Sequence, residues 1–237
     1  TGIKDIKVID EEIYISLTKE KKKNCYNTQI FKGKINFSNI EFEDLNLIKG
    51  CANIDSSFNS YPSFKNFNGY QTGGRIIFDN KNIYLTLGDY NQWDKVQENE
   101  TYFGKILKIN KNNNNSKIIS KGHRNSQGMY NLNNSKIIST EHGPKGGDEI
   151  NIVDLSLQQI QNFGWPVASY GDHYNSVPLT KQIKKISPLV KNHKNNGFLE
   201  PVFYFKKSIG ISEIIKNYFS NKNSFFITSL KEKKFMR

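Results

Sequence analysis

The chain is short of most residues that cross-link or stiffen a fold. Its 237 residues include only two cysteines, two methionines, two tryptophans and six prolines. Two cysteines cannot build a disulfide framework, and Cys25 and Cys51 lack the spacing of a metal site. Two readings stay open for them. They form either one staple, worth about 3 kcal/mol in an oxidising compartment, or two partly buried thiols. No apolar run approaches the ~18 residues of a spanning helix, so no transmembrane segment is expected. From Thr1 onward there is no charged-then-apolar leader, so any export signal is expected to have been removed or never included.

Arginine is the scarcest cation, at positions 75, 124 and 237 alone, although Lys+Arg total 34 against 22 acidic residues. The formal charge of +12 is therefore carried almost entirely by scattered lysines, with short runs at 19–23 and 231–234. Nucleic-acid readers favour planar arginine forks gathered on one face, so a nucleic-acid partner is not expected. Lysines along strand edges instead discourage edge pairing. What the chain does have is aromatic residues, at 13%, which excludes wholesale disorder. The length suits one all-β domain or two small ones.

Helical periodicity is nearly absent. Short β-rich runs recur instead, among them 13–17, 28–31, 75–78, 83–87, 105–109, 117–120, 136–140, 149–153, 201–205 and 225–230. They are separated by Asn- and Gly-rich turn chemistry such as Asp79-Asn80 and Asn133-Asn134. Residues 76–86, 129–140 and 6–16 read as copies of one strand–turn–strand phrase, and 223–228 as a fragment of a fourth. Repeats starting near 6, 76, 129 and 215 at uneven spacing predict propeller blades with loop insertions. A β-sandwich with irregular loops is the second reading. The last run leads into Arg237 with no evident partner strand, so the expectation is a single propeller domain over 1–237, incomplete at both ends.

Three phrases could carry chemistry. In Gly122-His123-Arg124-Asn125-Ser126-Gln127-Gly128, Arg124 offers a fork of donors and Asn125 an amide, suited to a carboxylate or quinone oxygen. Taken alone, such an arginine is more often a structural clamp. In Thr140-Glu141-His142-Gly143-Pro144-Lys145-Gly146-Gly147-Asp148-Glu149-Ile150-Asn151, a glycine-rich loop can turn carbonyls towards a hard cation beside two carboxylates. A hairpin loop with a solvated acidic pair is the plainer account. In Asn162-Phe163-Gly164-Trp165-Pro166, the aromatic faces suit either ring stacking or core packing.

In this order and spacing, the three phrases resemble the glucose/sorbosone dehydrogenase family. Gly73-Gly74-Arg75-Ile76-Ile77-Phe78, Leu87-Gly88-Asp89, Phe103–Ile109, Glu200-Pro201-Val202 and Ser229-Leu230-Lys231 extend the resemblance over nearly the whole chain. The resemblance implies a six-bladed β-propeller, of which about four blades are represented here. It also implies oxidation of an aldose sugar at its anomeric carbon with pyrroloquinoline quinone (PQQ) and Ca2+. An external electron acceptor and a periplasmic or secreted location come with it. Arg124 and Asn125 then stand where the cofactor is held, with Gln92 and Lys231 as further cofactor contacts. Gly143 and Pro144 stand where carbonyls hold the calcium, and Asp148 and Glu149 near a second calcium.

One departure is chemical. The slot of the family's catalytic histidine holds Gln71, and Asp89 matches the carboxylate that supports that histidine. Glutamine can hydrogen-bond a sugar hydroxyl but cannot take its proton. His123 and His142 are the histidines that could approach the channel. The alternative function is therefore a catalytically inactive propeller that binds carbohydrate or a protein partner. A third reading is an incomplete product that would not close a ring.

Overall fold

The computed structural model describes residues 2–36, 38–53, 69–220, 224–232 and 234–236. Alternating Ile, Val, Tyr and Thr build four β-sheets, each opened by one copy of the strand–turn–strand phrase. The first sheet comprises β1 (Gly2–Ile9), β2 (Glu12–Lys22), β3 (Cys25–Lys34) and β4 (Phe42–Asp44), with β5 (Ala52–Asn53) also on β3. The second comprises β6 (Gly73–Phe78), β7 (Asn82–Leu87), β8 (Lys105–Asn110) and β9 (Ser116–Lys121). The third begins with β10 (Ser126–Asn133), β11 (Lys136–Glu141) and β12 (Asp148–Asp154). The short β13 (Gln161–Asn162) adds in parallel to β9, and β14 (Phe203–Phe205) completes the third sheet beside β12. The fourth comprises β15 (Ile211–Lys216), β16 (Phe225–Ser229) and β17 (Lys234–Met236).

These sheets are blades. Their first strands are the inner ones: β6 packs against both β1 and β10, and β10 against β15. Because side chains alternate across a strand, each middle blade feeds two cores. Ile76, Ile83, Leu85 and Leu87 pack towards Tyr14 and Ile30 of the first blade, whereas Ile77, Tyr84 and Ile106 pack towards Met129, Ile137 and Val153 of the third. Ile138 then meets Ile211, Ile214 and Ile227 of the fourth. Each such buried aliphatic side chain contributes about 1.5–3 kcal/mol. The helix α1 (Lys181–Ile186), capped by the Thr180 side chain on the Ile183 amide, packs Ile183 with Trp93 and Trp165 above the blades.

Arg75 on β6 ties all four inner strands together. Its guanidinium donates to Asp5 on β1 at 2.9 Å, to the Gln127 carbonyl on β10 at 2.9 Å and to Glu213 on β15 at 2.8 Å. The cysteines, left open by the sequence, are joined as a Cys25–Cys51 disulfide that pins the start of β3 to the segment before β5.

Two expectations change. The run 225–230 does not lack a partner: β16 pairs with β15 on one side and β17 on the other, because the chain turns back at Leu230–Glu232. The fourth repeat is the hairpin β15–β16 rather than a fragment starting at 223, and Asn223 itself lies outside the described residues.

Candidate active site

The loops leading into and out of the inner strands surround a cavity of about 510 Å³. Gln71 and Thr72 enter it ahead of β6, Asn91 after β7, Arg124 and Asn125 ahead of β10, and His142 after β11; Lys4 reaches it from β1. Tight backbone crossings set this convergence. Gln71 adopts a left-handed φ of +55°, and a Cβ on Gly88 would lie 2.1 Å from the Gln71 carbonyl oxygen. Only glycine lets the two loops approach so closely.

Asp89 lies beneath the cavity, completely buried. Its Oδ1 accepts from the Asn91 amide at 2.8 Å and its Oδ2 from the Trp165 indole at 2.8 Å. In the orientation its surroundings require, the Gln71 amide donates to Asp89 Oδ1 at 2.9 Å, and its carbonyl accepts from Arg124 Nη2 at 3.1 Å. Burial pushes the Asp89 carboxyl up to about 7, against the pull of the Arg124 guanidinium.

Arg124 is held from both sides of its chain. Its main-chain amide donates to Glu141, and its carbonyl accepts from the Asp89 amide at 2.8 Å. Nη1 donates to the Gly143 carbonyl at 2.8 Å, and the guanidinium lies 5.5 Å from the centre of the Trp165 ring. Its Nε is buried without a protein acceptor. Asn125 accepts from the Gly73 amide at 3.1 Å.

Glu141 organises this corner, a role the sequence reading did not assign. Besides the Arg124 amide, its carboxylate takes His123 Nδ1 at 2.8 Å and the Ser126 hydroxyl at 3.2 Å. His123 also bonds the Ser120 hydroxyl at 2.7 Å and is fully buried, so it is a structural histidine outside the cavity. The one hint in sequence was an acidic residue closing a β-rich run. His142 does line the cavity, and burial, with Arg124 adding, holds its pKa below the usual imidazole value. Trp165 takes the core-packing role: it is buried against Trp93, and from there its indole donates to Asp89 and its ring faces Arg124.

Gln92 and Lys231 are not brought to this cavity. Gln92 is buried in the turn after Asp89, and Lys231 is exposed while its main-chain amide bonds Ile209.

For an anionic quinone the donor set fits: Arg124 has a buried Nε without an acceptor, and Asn125 and Gln127 line the same cavity. For calcium it is less complete. Gly143 O accepts one donor, but Pro144 O already accepts from the Tyr174 hydroxyl at 3.0 Å and the Ser208 hydroxyl at 3.1 Å. Asp148 accepts from four main-chain amides, Gly143 at Oδ1 and Ile209, Gly210 and Ile211 at Oδ2, so most of its acceptor capacity is already taken. Glu149 is different. It is buried, with a long contact from Asn151 at 3.4 Å and His193 Nε2 3.8 Å from Oε1, and desolvation, reinforced by Glu141, raises its carboxyl well above the ordinary range. Among the described residues, no group of three or more acidic, histidine or cysteine side chains forms a metal cluster.

The family model for glucose/sorbosone dehydrogenase matches residues 1–237. Aldose sugar dehydrogenase YliI of Escherichia coli (strain K12) is 33% identical over 187 residues, covering 70% of this chain and 46% of the relative. Quinoprotein glucose dehydrogenase B of Acinetobacter calcoaceticus is 32% identical over 142 residues, covering 47% of this chain and 28% of the relative. The chain thus spans less than half the length of either relative in these matches. A crystal structure of a glucose dehydrogenase superposes with a TM-score of 0.76 at 22% identity, covering 99% of this chain and 68% of that one, which shows the same propeller fold. With matching phrases, matching blades and a family model that runs its full length, this chain belongs to the glucose/sorbosone dehydrogenase family.

Proposed function

We propose that this chain carries the cofactor- and sugar-binding face of a PQQ-dependent aldose sugar dehydrogenase, oxidising a sugar at its anomeric carbon. The observation that carries the reading is the meeting of Arg124, Asn125, Gln71 and the buried Asp89 around one cavity. PQQ, when bound, supplies the two-electron acceptor for hydride from the sugar.

The chain's own residues supply position and electrostatics. Arg124 presents a guanidinium fixed by the Gly143 carbonyl and Gln71, on a main chain held by Glu141, which needs no reorganisation to meet negative charge. Asn125 sets the adjoining wall. Gln71 orients a sugar hydroxyl by hydrogen bonding, while Asp89 behind it fixes the amide. Calcium belongs to the same proposal, with the Gly143 and Pro144 carbonyls as donors to the ion beside the cofactor and Glu149 as a donor to a second ion. Pro144 would have to exchange the Tyr174 or Ser208 hydroxyl for the ion. Asp148, Gln92 and Lys231 have supporting rather than ligating positions in this reading. An external electron acceptor and an exported, periplasmic location complete it, and the Cys25–Cys51 disulfide suits an oxidising compartment.

Gln71 favours a second reading, in which the propeller binds sugar without oxidising it, because the amide has no basic lone pair. Calorimetric titration of PQQ, with calcium and then with chelator, followed by dye-linked assay with aldoses, separates the two. Quinone binding with turnover supports the enzyme, and quinone binding without turnover the binding protein. No quinone binding by folded protein would overturn both cofactor assignments.

A further inference from the structure

Lys4 stands apart from the other cations of the chain. It is the bulged residue of β1: Ile3 pairs with Leu17 and Asp5 with Ser16, so the register slips by one at Lys4. Such bulges re-aim a side chain. The lysine stem crosses directly over Gly74, where an added Cβ would lie 2.4 Å from Lys4 Cβ and 2.7 Å from Cγ. Gly74 holds a φ of +105°, which further restricts that position to glycine. The stem thus runs through a gap made for it, and Nζ donates to the Gly69 carbonyl at 2.9 Å at the cavity wall.

Its charge has no acidic partner among the described residues. Among the described residues no carboxylate lies within ion-pair distance of Lys4, and neighbouring Asp5 is turned to Arg75 and the Ile76 amide. The other cation of the cavity, Arg124, has Asp89 and Glu141 behind it, whereas no described carboxylate lines the cavity. A half-buried ammonium with no described carboxylate beside it is held at a desolvation cost, evident in its lowered pKa. A neutral sugar would not offset that cost, whereas an anionic one would.

We propose that Lys4 is a carboxylate receptor within this cavity and that the sugar bound here is acidic, of the uronate class. The proposal rests on the sugar-site reading above and specifies its substrate. A charge-assisted hydrogen bond in such a setting is worth about 1.5–3 kcal/mol, or roughly a tenfold to hundredfold preference.

The test compares D-glucuronate and D-glucose by calorimetry on wild-type, Lys4→Met and Lys4→Arg proteins, each with and without PQQ. The expected result is at least tenfold tighter glucuronate binding by wild type, near parity in Lys4→Met, and a preference restored in Lys4→Arg. Equal affinities in folded wild-type protein would overturn the proposal. A preference unaffected by Lys4→Met would also overturn it. So would a large loss of PQQ affinity in Lys4→Met with the sugar preference intact, which would assign the ammonium to the cofactor's carboxylates. Failure of the functional reading looks different: wild type would bind no PQQ, and the quinone-free arm would still report on Lys4.

Discussion

The side-chain amide of Gln71 lies 2.9 Å from Oδ1 of Asp89, while its carbonyl faces Arg124 Nη2 at 3.1 Å. A neutral group therefore bridges a buried acid and a buried cation at the position proposed above for a base.

Gln71→His should consequently create or raise PQQ-dependent sugar oxidation, by about 10²-fold or more if Asp89 orients the imidazole. Dye-linked assay with saturating PQQ reads the change. An unchanged rate, with quinone binding intact, would mean that Asp89 does not support a base at position 71.

Asp89 also gives a pH signature. Its folded pKa, about 7, lies above the unfolded value, so the folded protein holds more protons between roughly pH 4 and 7. Stability contributed by this group is then present at low pH and is lost as pH rises through 7. Asp89→Asn should flatten that part of the urea stability profile, by about 4 kcal/mol at most. A profile identical to wild type would show that Asp89 titrates alike in the folded and unfolded chain.

Arg124→Lys tests geometry apart from charge. A lysine keeps the cation but cannot reach Gly143 and Gln71 together with a cofactor oxygen. PQQ affinity should fall at least tenfold in Arg124→Lys and further in Arg124→Ala, read by calorimetry. Full affinity in either variant would remove Arg124 from the cofactor site.

The Arg75 hub should be costly to remove. Arg75→Met leaves Asp5 buried and deprives Gln127 and Glu213 of their donor, for a loss of about 3–5 kcal/mol. Adding Asp5→Asn should restore part of it in urea unfolding. A loss below about 1 kcal/mol would show that the inner strands hold together without this bridge.

Reduction of Cys25–Cys51 should lower stability by about 3 kcal/mol, because a long loop regains freedom in the unfolded chain. For a chain of this length that is roughly 6–12 °C in Tm. A scan unaffected by reductant would show that the staple does not constrain the unfolded state.

Much of this was legible in the sequence. The strand–turn–strand phrases at 6–16, 76–86 and 129–140 fall on β1–β2, β6–β7 and β10–β11, because two-residue alternation and Asn-rich turns are local properties. The loops bearing Arg124, Asn125 and Gln71 were also legible as candidates and do meet at one cavity. Lys4 and Glu141 were not. A lysine in a lysine-rich chain carries no signal until a bulge and a bare glycine turn it inward. Glu141 gains its importance only from partners 15 to 18 positions away, Ser126, Arg124 and His123.

Residue identity and near-neighbour order were enough to set the family and the β blades, because both are written locally along the chain. Tertiary structure alone decided that Asp148 spends its oxygens on four main-chain amides, that His123 is buried under Glu141, and that the cysteines are joined. Those outcomes depend on which distant backbone groups the stacked blades bring within hydrogen-bond reach, and no local pattern encodes that distance.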